Sequence, residues 1–445
     1  MYDAIFIEGK GKPAVPFVYK YFNNDARSAA SSKGMPNLRI TLENIVSEST
    51  VQEDIEAEIG AVLTEMVANL TQPLTAAENS PQQVQTDNPA RVVFKGSLPE
   101  VNQFYYRRGW TDGLPIFPPT EEAVAEMLTG TDLPRDQNVA TLVPRRGKAT
   151  VEKIAINAVM AGALPTYMPL LIAGVKCLLN NRVADMMAAS TGSWAPFWIV
   201  NGPVRKDINL NASYGALNPG DMANITIGRA LGLITKNIRG IRKGIEDMGV
   251  LGNPGKFSMV AAENEEDSPW EPLHCERGLK RADSAITLTF PQCYDQIYPY
   301  GTDDAGLLKS MIYNLTPSRI GITGFILTPT NAASLAKKGW TKKTIKEWVI
   351  QNAKMPYDHD AHFYGNVFDV AEKKPGVKAT DLVPIIVPTP RSPDPVQIYV
   401  LGGMGSWVGI ASGGGDIRTE KVDLPANWDK LVKKYRDLVP QYYRY

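Results

Sequence analysis

The chain has 445 residues, of which 44% are hydrophobic and 21% charged, and its 47 basic residues are balanced by 47 acidic ones. This length predicts two or three domains with a sizeable core. The neutral balance argues against a basic nucleic-acid-binding protein or a polybasic membrane-surface protein. Three cysteines, Cys177, Cys275 and Cys293, are too few for a disulfide framework. They favour a reducing compartment and predict a cytoplasmic protein.

Residues 1–70 are predicted to form a small α/β domain with a parallel sheet. Ala4–Ile7, Ala14–Val18 and Leu38–Leu42 are short apolar runs that indicate strands. Thr50 and Glu53 form a capping box ahead of an apolar stripe, which predicts a helix. Strands that alternate with helices favour parallel pairing. The opening MYDAIFIEGKGKP lacks the layout of a signal peptide, and no apolar stretch resembles a membrane span.

Residues 71–95 are polar, contain three prolines and show no periodicity, so they are interpreted as a linker or an extended arm. A larger α/β domain is predicted over residues 96–425. Glu121–Leu128 begins a helix, and Thr150 caps another that extends through Ala163. The second helix is apolar almost all round, which predicts a helix buried in the centre of the domain. The helical region continues over Ile172–Leu179.

Further strands and helices in this domain predict a doubly wound or related α/β layout. The predicted strands are Phe197–Val200, Lys256–Ala261, Ala285–Phe290, Arg319–Leu327, Pro384–Val387 and Gln397–Leu401. Asp221 caps a helix that extends to about Ile234, and Thr341 begins another. The tail, residues 426–445, carries aromatic and basic residues. It is expected either to pack across a neighbouring subunit or to form a surface helix.

A glycine-rich loop follows the last predicted strand. Gly402, Gly403, Gly405 and Ser406 lie where backbone N–H groups approach an anion without hindrance from a Cβ atom. The spacing matches neither the Walker loop nor the dinucleotide fingerprint. A tight structural turn, a cradle for a substrate carboxylate or phosphate, and a nucleotide-binding loop all remain open.

Arg145 and Arg146 precede the helix that Thr150 caps. Cations beside a helix N-terminus attract anions, although a solvated surface run has the same composition. Lys153 and Asn157 lie four residues apart on one face of this helix. Polar groups in so apolar a helix need partners. They are therefore either structural hydrogen-bonding groups or substrate-binding residues, and we favour the second interpretation.

Acidic residues follow the predicted strand at 256–261. Glu263 belongs to this run, which is suited to supply a general base or metal ligand, or to form an exposed acidic loop. His274 next to Cys275 is weak evidence for a catalytic pair, because neighbours on a strand point apart. The predicted catalytic polar groups are Glu263, Asn157, Asn201 and Asn224.

His359 and His362 have the H-x-x-H spacing that, on a helix, places two imidazoles on one face. Such a pair is suited to bind a divalent metal. Pro356 and Gly365 flank the segment, and they favour a surface loop instead. A divalent metal is the one cofactor that the residues suggest.

Several long segments, in order along the chain, resemble the UGSC-type family of (seleno)proteins. They are GKPAVPFVYKYF (11–22), GMPNLRITLENI (34–45), GWTDGLPIFPPT (109–120), PRRGKATVEKIAINAVMAG (144–162), VNGPV (200–204), NPGDMANITIGRAL (218–231), GNPGKFSMVAAENEEDSPWEPLHCERG (252–278) and VQIYVLGGMGS (396–406). The family is named for a selenocysteine or cysteine followed by Gly-Ser-Cys. The resemblance implies that this loop lies just ahead of a segment like residues 2–7.

No Cys-Gly-Ser-Cys occurs in this chain. The resemblance therefore implies that a companion subunit supplies the reactive Cys or Sec, or that a selenocysteine codon was taken as a stop. We expect a partner strand to cover the sheet edge at Met1–Ile7. The loop is similar to the motif of the glycine and proline reductases, in which a selenolate attacks the substrate. This similarity suggests reductive or nucleophilic bond cleavage.

Three functional hypotheses follow. The first is a subunit of a hetero-oligomeric, oxidoreductase-like or lyase enzyme, which binds a small anionic substrate through Arg145, Arg146, Lys153 and the glycine loop. The second is a single-chain, metal-dependent lyase or hydrolase that uses His359 and His362. The third is a non-catalytic scaffold subunit. In each case, no nucleic-acid or membrane partner is expected.

Overall fold

The computed structural model describes residues 2–45, 51–79, 90–179, 191–315, 321–357, 376–390 and 392–439. The amino-terminal part has a two-stranded parallel sheet, in which β1 (Phe17–Tyr19) pairs with β2 (Thr41–Glu43). Three helices accompany this sheet: α1 (Tyr2–Glu8), α2 (Asn23–Ser32) and α3 (Gln52–Thr71). The prediction of a small α/β unit with a parallel sheet is confirmed.

The strand prediction for Ala4–Ile7 is wrong, because these residues lie within helix α1. Ile5 packs against Ala30 and Leu38, while Phe6 is 67% exposed. A four-residue apolar run fits a strand or one turn of helix equally well, and tertiary contacts decide between them. No sheet edge therefore lies at residues 2–7 for a partner strand to cover.

The larger part of the chain contains both helices and strands. Its helices are α4 (Leu98–Arg107), α5 (Glu121–Leu128), α6 (Val151–Ala161), α7 (Met168–Cys177), α8 (Val204–Asp207), α9 (Met222–Asn237), α10 (Leu273–Glu276), α11 (Asp304–Tyr313), α12 (Pro329–Lys337), α13 (Lys342–Asn352) and α14 (Trp428–Tyr435). Thr150 Oγ1 accepts the N–H of Lys153, which confirms the predicted cap of α6. Most residues of α6 and α7 are buried, which confirms the predicted burial of α6.

The described strands of this part form two antiparallel two-stranded sheets and two four-stranded sheets. They are β3 (Asn138–Leu142), β4 (Gly147–Thr150), β5 (Phe197–Asn201), β6 (Val260–Ala262), β7 (Ala285–Thr289), β8 (Cys293–Ile297), β9 (Ile322–Leu327), β10 (Lys354–Pro356), β11 (Leu382–Pro384), β12 (Val396–Val400), β13 (Val408–Gly414) and β14 (Arg418–Lys421). The two-stranded sheets are β3–β4 and β10–β11. The first sheet has the order β14-β7-β5-β6 and the second β12-β9-β13-β8.

Two predicted strands have the wrong bounds. Residues 254–256 form a 3-10 turn, because Asn253 Oδ1 accepts the N–H of Gly255, so β6 begins only at Val260. β11 ends at Pro384, where the prediction of a strand over Pro384–Val387 begins. Residues 316–320, at the start of the strand predicted over 319–327, lie outside the described residues. No helix of the described part of the chain is long and apolar enough to cross a bilayer.

The two large sheets pack face to face, with helices on their outer faces. Side chains alternate along β5, so Trp198 and Val200 join the core formed with α6, α7 and α9. Phe197 and Ile199 point the other way and meet Tyr399 of the second sheet. The outer face of the second sheet packs on α11, α12 and α13. The result is a helix–sheet–sheet–helix arrangement, which is the α/β architecture predicted in outline.

The two sheets repeat one topology. In each, a central strand (β5 or β9) pairs in parallel with the strand that follows its helical crossover (β6 or β12). The next strand, β7 or β13, returns antiparallel on the other side of the central strand. The fourth strand of each sheet comes from the other half of the repeat. β8 follows β7 in the chain but pairs with β13, and β14 follows β13 but pairs with β7. This exchange ties the two halves together.

A cluster of charges joins the small amino-terminal unit to the large one. Glu246 accepts hydrogen bonds from Ser28 Oγ on α2 at 2.6 Å, from Arg145 Nε at 2.9 Å and from Arg242 at 2.6 Å. Burial alone would raise the pKa of this carboxyl, but these donors outweigh burial and lower the pKa to about 2. The pKa of Asp25, also on α2, is shifted in the opposite direction. Burial and the nearby Glu246 carboxylate raise its pKa to about 6.

Replacing Asp25 with asparagine is expected to stabilise the protein at pH 8 and to change little at pH 4. The pKa of Asp25 is higher in the folded state than the value of about 3.9 for an unfolded chain. The stability that its protonated form provides is therefore lost as pH rises from about 4 through 6. Thermal melts of both proteins across this range test the prediction. Equal differences at both pH values would contradict it.

Candidate functional site

Two of the predicted catalytic residues meet where the two large sheets adjoin. Glu263 is fully buried and follows β6, and its carboxylate accepts Asn201 Nδ2 at 2.7 Å from the end of β5. The same carboxylate accepts the N–H of Val400 at 3.3 Å, at the end of β12. Ligand sites of open α/β sheets commonly lie beyond the carboxyl ends of parallel strands. We call this group the strand-end cluster.

Lys342, at the start of α13, completes the strand-end cluster, and sequence reasoning missed it. Its Nζ donates to Glu263 at 3.0 Å and to Glu276 at 2.7 Å. Burial alone would raise the pKa of Glu263, but the charge of Lys342 and the hydrogen bonds outweigh burial and lower that pKa. The two carboxylates in turn raise the pKa of Lys342 against the effect of burial. The cluster is thus a charged, buried ion pair.

The glycine loop lies beside this cluster. The Asn264 side chain donates to the carbonyl of Gly402 at 3.4 Å. The N–H of Gly402 donates to the carbonyl of Ala212 at 2.9 Å, and the N–H of Gly405 donates to Thr330 Oγ1 at 3.0 Å. These contacts place the loop in structural hydrogen bonds at Gly402 and Gly405. The prediction that it binds substrate, with Gly403 and Ser406, stays a prediction.

Asn157 and Asn224 lie apart from the cluster, in hydrogen bonds that hold backbone together. Asn224 donates to the carbonyls of Asn211 and Val260 and accepts the N–H of Asn211. Asn157 accepts Asn237 Nδ2 from α9 at 2.8 Å and donates to the carbonyl of Lys153. Asn237 donates onward to the carbonyl of Trp110. Both asparagines therefore fix the positions of loops.

The predicted anion-binding cations do not converge in this structure. Arg145 pairs with Glu246 in the junction described above. Arg146 lies in the β3–β4 turn with a left-handed backbone, φ 58°. Lys153 is exposed on α6. Substrate binding by these three residues stays a prediction.

The predicted metal ligands, His359 and His362, lie outside the described residues. Within the described ranges, no group of three or more His, Cys, Asp or Glu side chains is arranged to hold a metal ion.

The structure shows a cationic pocket that sequence reasoning missed. It is a cavity of about 410 Å³ at the amino ends of β5 and β6, the opposite strand ends from the strand-end cluster. The lining residues are Asp112, Leu178, Trp194, Pro196, Trp198, Arg229, Gly232, Leu233, Thr235, Lys236, Arg239, Ile241, Lys243, Asp247, Gly249, Gly252, Asn253, Lys256, Phe257 and Phe290. Five cationic side chains thus face two carboxylates.

Two of the cations are neutralised within the pocket wall. Arg229 forms a two-pronged ion pair with Asp112, at 2.7 and 3.0 Å. Lys256 Nζ contacts both oxygens of Asp247, at 2.7 and 2.8 Å. Lys236 Nζ instead donates to a neutral acceptor, the carbonyl of Thr111, at 2.5 Å. No carboxylate partner is seen for Lys236 or Lys243 among the described residues, so these two lysines give the pocket a positive excess, which favours an anionic ligand.

The side chain of Lys236 is partly buried. Burial lowers its pKa, and the charge of the neighbouring Asp112 opposes that effect. Charged groups in a partly dry pocket interact more strongly with a bound ion than they do in water. Lys236 is therefore the strongest candidate for direct contact with an anion.

Two features of the sequence could have indicated this pocket. Some of its lining residues lie in segments quoted above for their resemblance to one family: Asp112 in residues 109–120, Arg229 in residues 218–231, and four residues in 252–257. On α9, Arg229, Gly232, Leu233 and Lys236 follow the helical spacing of a single face. A search for basic residues on apolar helices would have selected Arg229 and Lys236.

None of the three cysteines, all of them in the described part of the chain, is among the residues that line the pocket. Burial raises the pKa of the Cys177 thiol. Burial, together with the carboxylates of Glu271 and Glu265, raises that of Cys275. A raised pKa reduces the thiolate fraction and hence the reactivity at neutral pH.

Comparison of the chain with protein-family models, with curated protein sequences and with solved structures found no match.

Proposed function

We propose that the chain is the substrate-binding subunit of a thiol- or selenol-dependent enzyme, and that it holds a small organic anion in the cationic pocket. The observation that supports this proposal is the excess of cations in a cavity of about 410 Å³. Clefts of roughly 300–1,000 Å³ with a few converging polar groups are typical of small-molecule sites. The bond cleaved is expected to be one that a thiolate or selenolate attacks.

The source of the nucleophile is the second part of the proposal. Cys177 and Cys275 have raised pKa values, and neither faces the pocket. A nucleophilic sulfur needs a lowered pKa and access to the substrate. The reactive Cys or Sec is therefore assigned to a companion chain in a hetero-oligomer, as the resemblance to the UGSC-type family implies.

Replacing Lys236 with methionine is expected to weaken binding of small carboxylates about 10- to 100-fold. A hydrogen bond to a charged group contributes about 1.5–3 kcal/mol, and its loss reduces the affinity correspondingly. Isothermal titration of the purified chain with acetate, pyruvate and inorganic phosphate measures the effect. The control is Lys343→Met, because Lys343 is exposed on α13. If neither the native chain nor the control variant bound any of these anions, the proposed substrate class would be wrong.

Changing Cys275 and Cys293 to serine is expected to leave turnover by the assembled enzyme unchanged, because the nucleophile is assigned to the partner. Turnover is measured in enzyme purified from the native source and in enzyme reconstituted with the variant chain. Loss of turnover in the serine variants, with assembly intact, would contradict this assignment. So would turnover by the isolated chain without a partner.

A further inference from the structure

The cationic pocket has two chemically different walls. One is the face of α9 that carries Arg229 and Lys236, to which Arg239 adds a further charge just beyond the helix. The other is aromatic and includes Trp194, Trp198 and Phe257. A small inorganic anion would contact the cationic wall and leave the aromatic wall exposed to water.

Gly232 keeps the space between these walls open. It lies between Arg229 and Lys236 on the face of α9 that lines the pocket. A Cβ atom there would approach the carbonyl oxygen of Lys256 at 3.4 Å and that of Phe257 at 3.8 Å, which are ordinary contact distances. Alanine would therefore fit, whereas a long side chain would enter the cavity.

The direction of α9 bears on the kind of anion. Lys236 lies in the last turn of this helix, where the helix dipole is negative, whereas Arg229 lies near its middle. Phosphate sites of the helix-terminal type use the opposite end, where free N–H groups converge. The negative helix end reduces the positive potential that the side-chain cations provide. The reduced potential suits a singly charged carboxylate better than a doubly charged phosphate.

We propose that the pocket binds an aromatic carboxylate, with its carboxylate at Lys236 and its ring against Trp194 and Phe257. This inference rests on the proposed function, because it names the class of small anion. The ring would displace water from the aromatic wall, and burial of apolar area provides the additional affinity.

Titration with phenylacetate, acetate and inorganic phosphate tests the inference, with tryptophan fluorescence and calorimetry as readouts. Phenylacetate is expected to bind at least about ten-fold more tightly than acetate, and to quench fluorescence, because two tryptophans line the cavity. Acetate that binds as tightly as phenylacetate would overturn the inference and leave the proposed function intact. Tighter binding of phosphate than of phenylacetate would overturn the carboxylate assignment. Failure of all three anions to bind would defeat the proposed function itself.

Two variants locate the binding. Phe257→Ala, at a half-exposed position, is expected to bring the ratio of the two carboxylate affinities toward one. Gly232→Leu retains every charge of the pocket and is expected to abolish phenylacetate binding by filling the space. Gly232→Ala is the matched control for folding, and we expect it to bind phenylacetate. Unchanged phenylacetate binding in both Phe257→Ala and a folded Gly232→Leu variant would place the ligand elsewhere and overturn the inference.

Discussion

Methionine in place of Lys342 is expected to lower the free energy of unfolding by about 3–5 kcal/mol at neutral pH, since it leaves a buried carboxylate without its partner. Glu263 is fully buried, and among the described residues Lys342 Nζ is the one cation that forms an ion pair with its carboxylate, at 3.0 Å. Denaturant unfolding of the native and variant proteins measures the loss. Lys342→Met should also weaken the contact between the two sheets, because Glu263 bonds to the backbone of β12 at Val400.

The stability lost in Lys342→Met is expected to depend on pH. Without Lys342, burial dominates and raises the pKa of Glu263 above the value of about 4.3 for an unfolded chain. The stability that the protonated form provides is then lost as pH rises through the raised pKa. The variant should therefore be closest to the native protein at low pH and furthest from it at pH 8.

Lys343→Met is the matched control for Lys342→Met, one residue along the same helix. The Lys343 side chain is 84% exposed, and its nearest carboxylate oxygen, on Glu347, is 3.9 Å away. Exposed substitutions of this kind change stability by no more than about 0.5 kcal/mol. A Lys342→Met variant as stable as this control would show that the buried pair is not needed. Adding Glu263→Gln to Lys342→Met should restore part of the loss.

The meeting of Asn201 and Glu263 is the part of the strand-end cluster that sequence reasoning approached. Both were selected as polar residues at the ends of predicted strands. The structure shows that these strands, β5 and β6, are parallel neighbours. The carboxyl ends of parallel neighbours meet at one edge of a sheet, so residues 62 positions apart come into contact. The local sequence pattern was sufficient to predict each strand. The parallel pairing of β5 and β6 explains why Asn201 and Glu263 are in contact.

Lys342 and the cationic pocket could not be predicted in the same way. Lys342 follows Glu263 by 79 positions and belongs to a helix of the other half of the repeat. Its burial depends on how the two sheets pack, which no local pattern encodes. The same holds for the pocket. Its aromatic wall combines β5, the loop ahead of it and the segment ahead of β6, and only two of its cations, Arg229 and Lys236, come from α9. The error at Ala4–Ile7 has a simpler cause, since four apolar residues suit a helix and a strand alike.

Replacing Gly202 with alanine is expected to lower the free energy of unfolding by about 2–5 kcal/mol. Gly202 follows β5 with φ +83°, and a Cβ atom there would lie 2.1 Å from the carbonyl oxygen of Asp283. Left-handed backbone costs a non-glycine residue about 1–2 kcal/mol, and overpacking against fixed atoms costs about 1–3 kcal/mol more. The N–H of Gly202 also donates to Glu265 at 2.7 Å, so a shift of this backbone would disturb the hydrogen bonds around Asn201. Denaturant unfolding measures the loss.

Gly278→Ala separates the two causes. Gly278 has nearly the same backbone angle, φ +87°, but among the described residues, apart from its two chain neighbours, no heavy atom lies within 4 Å of the position a Cβ would take. It should show only the backbone cost of about 1–2 kcal/mol. The difference between the two variants then measures the contact with the Asp283 carbonyl. Equal losses in both would mean that the chain beyond β5 moves aside easily, and that the strand-end cluster is not held rigidly by its backbone.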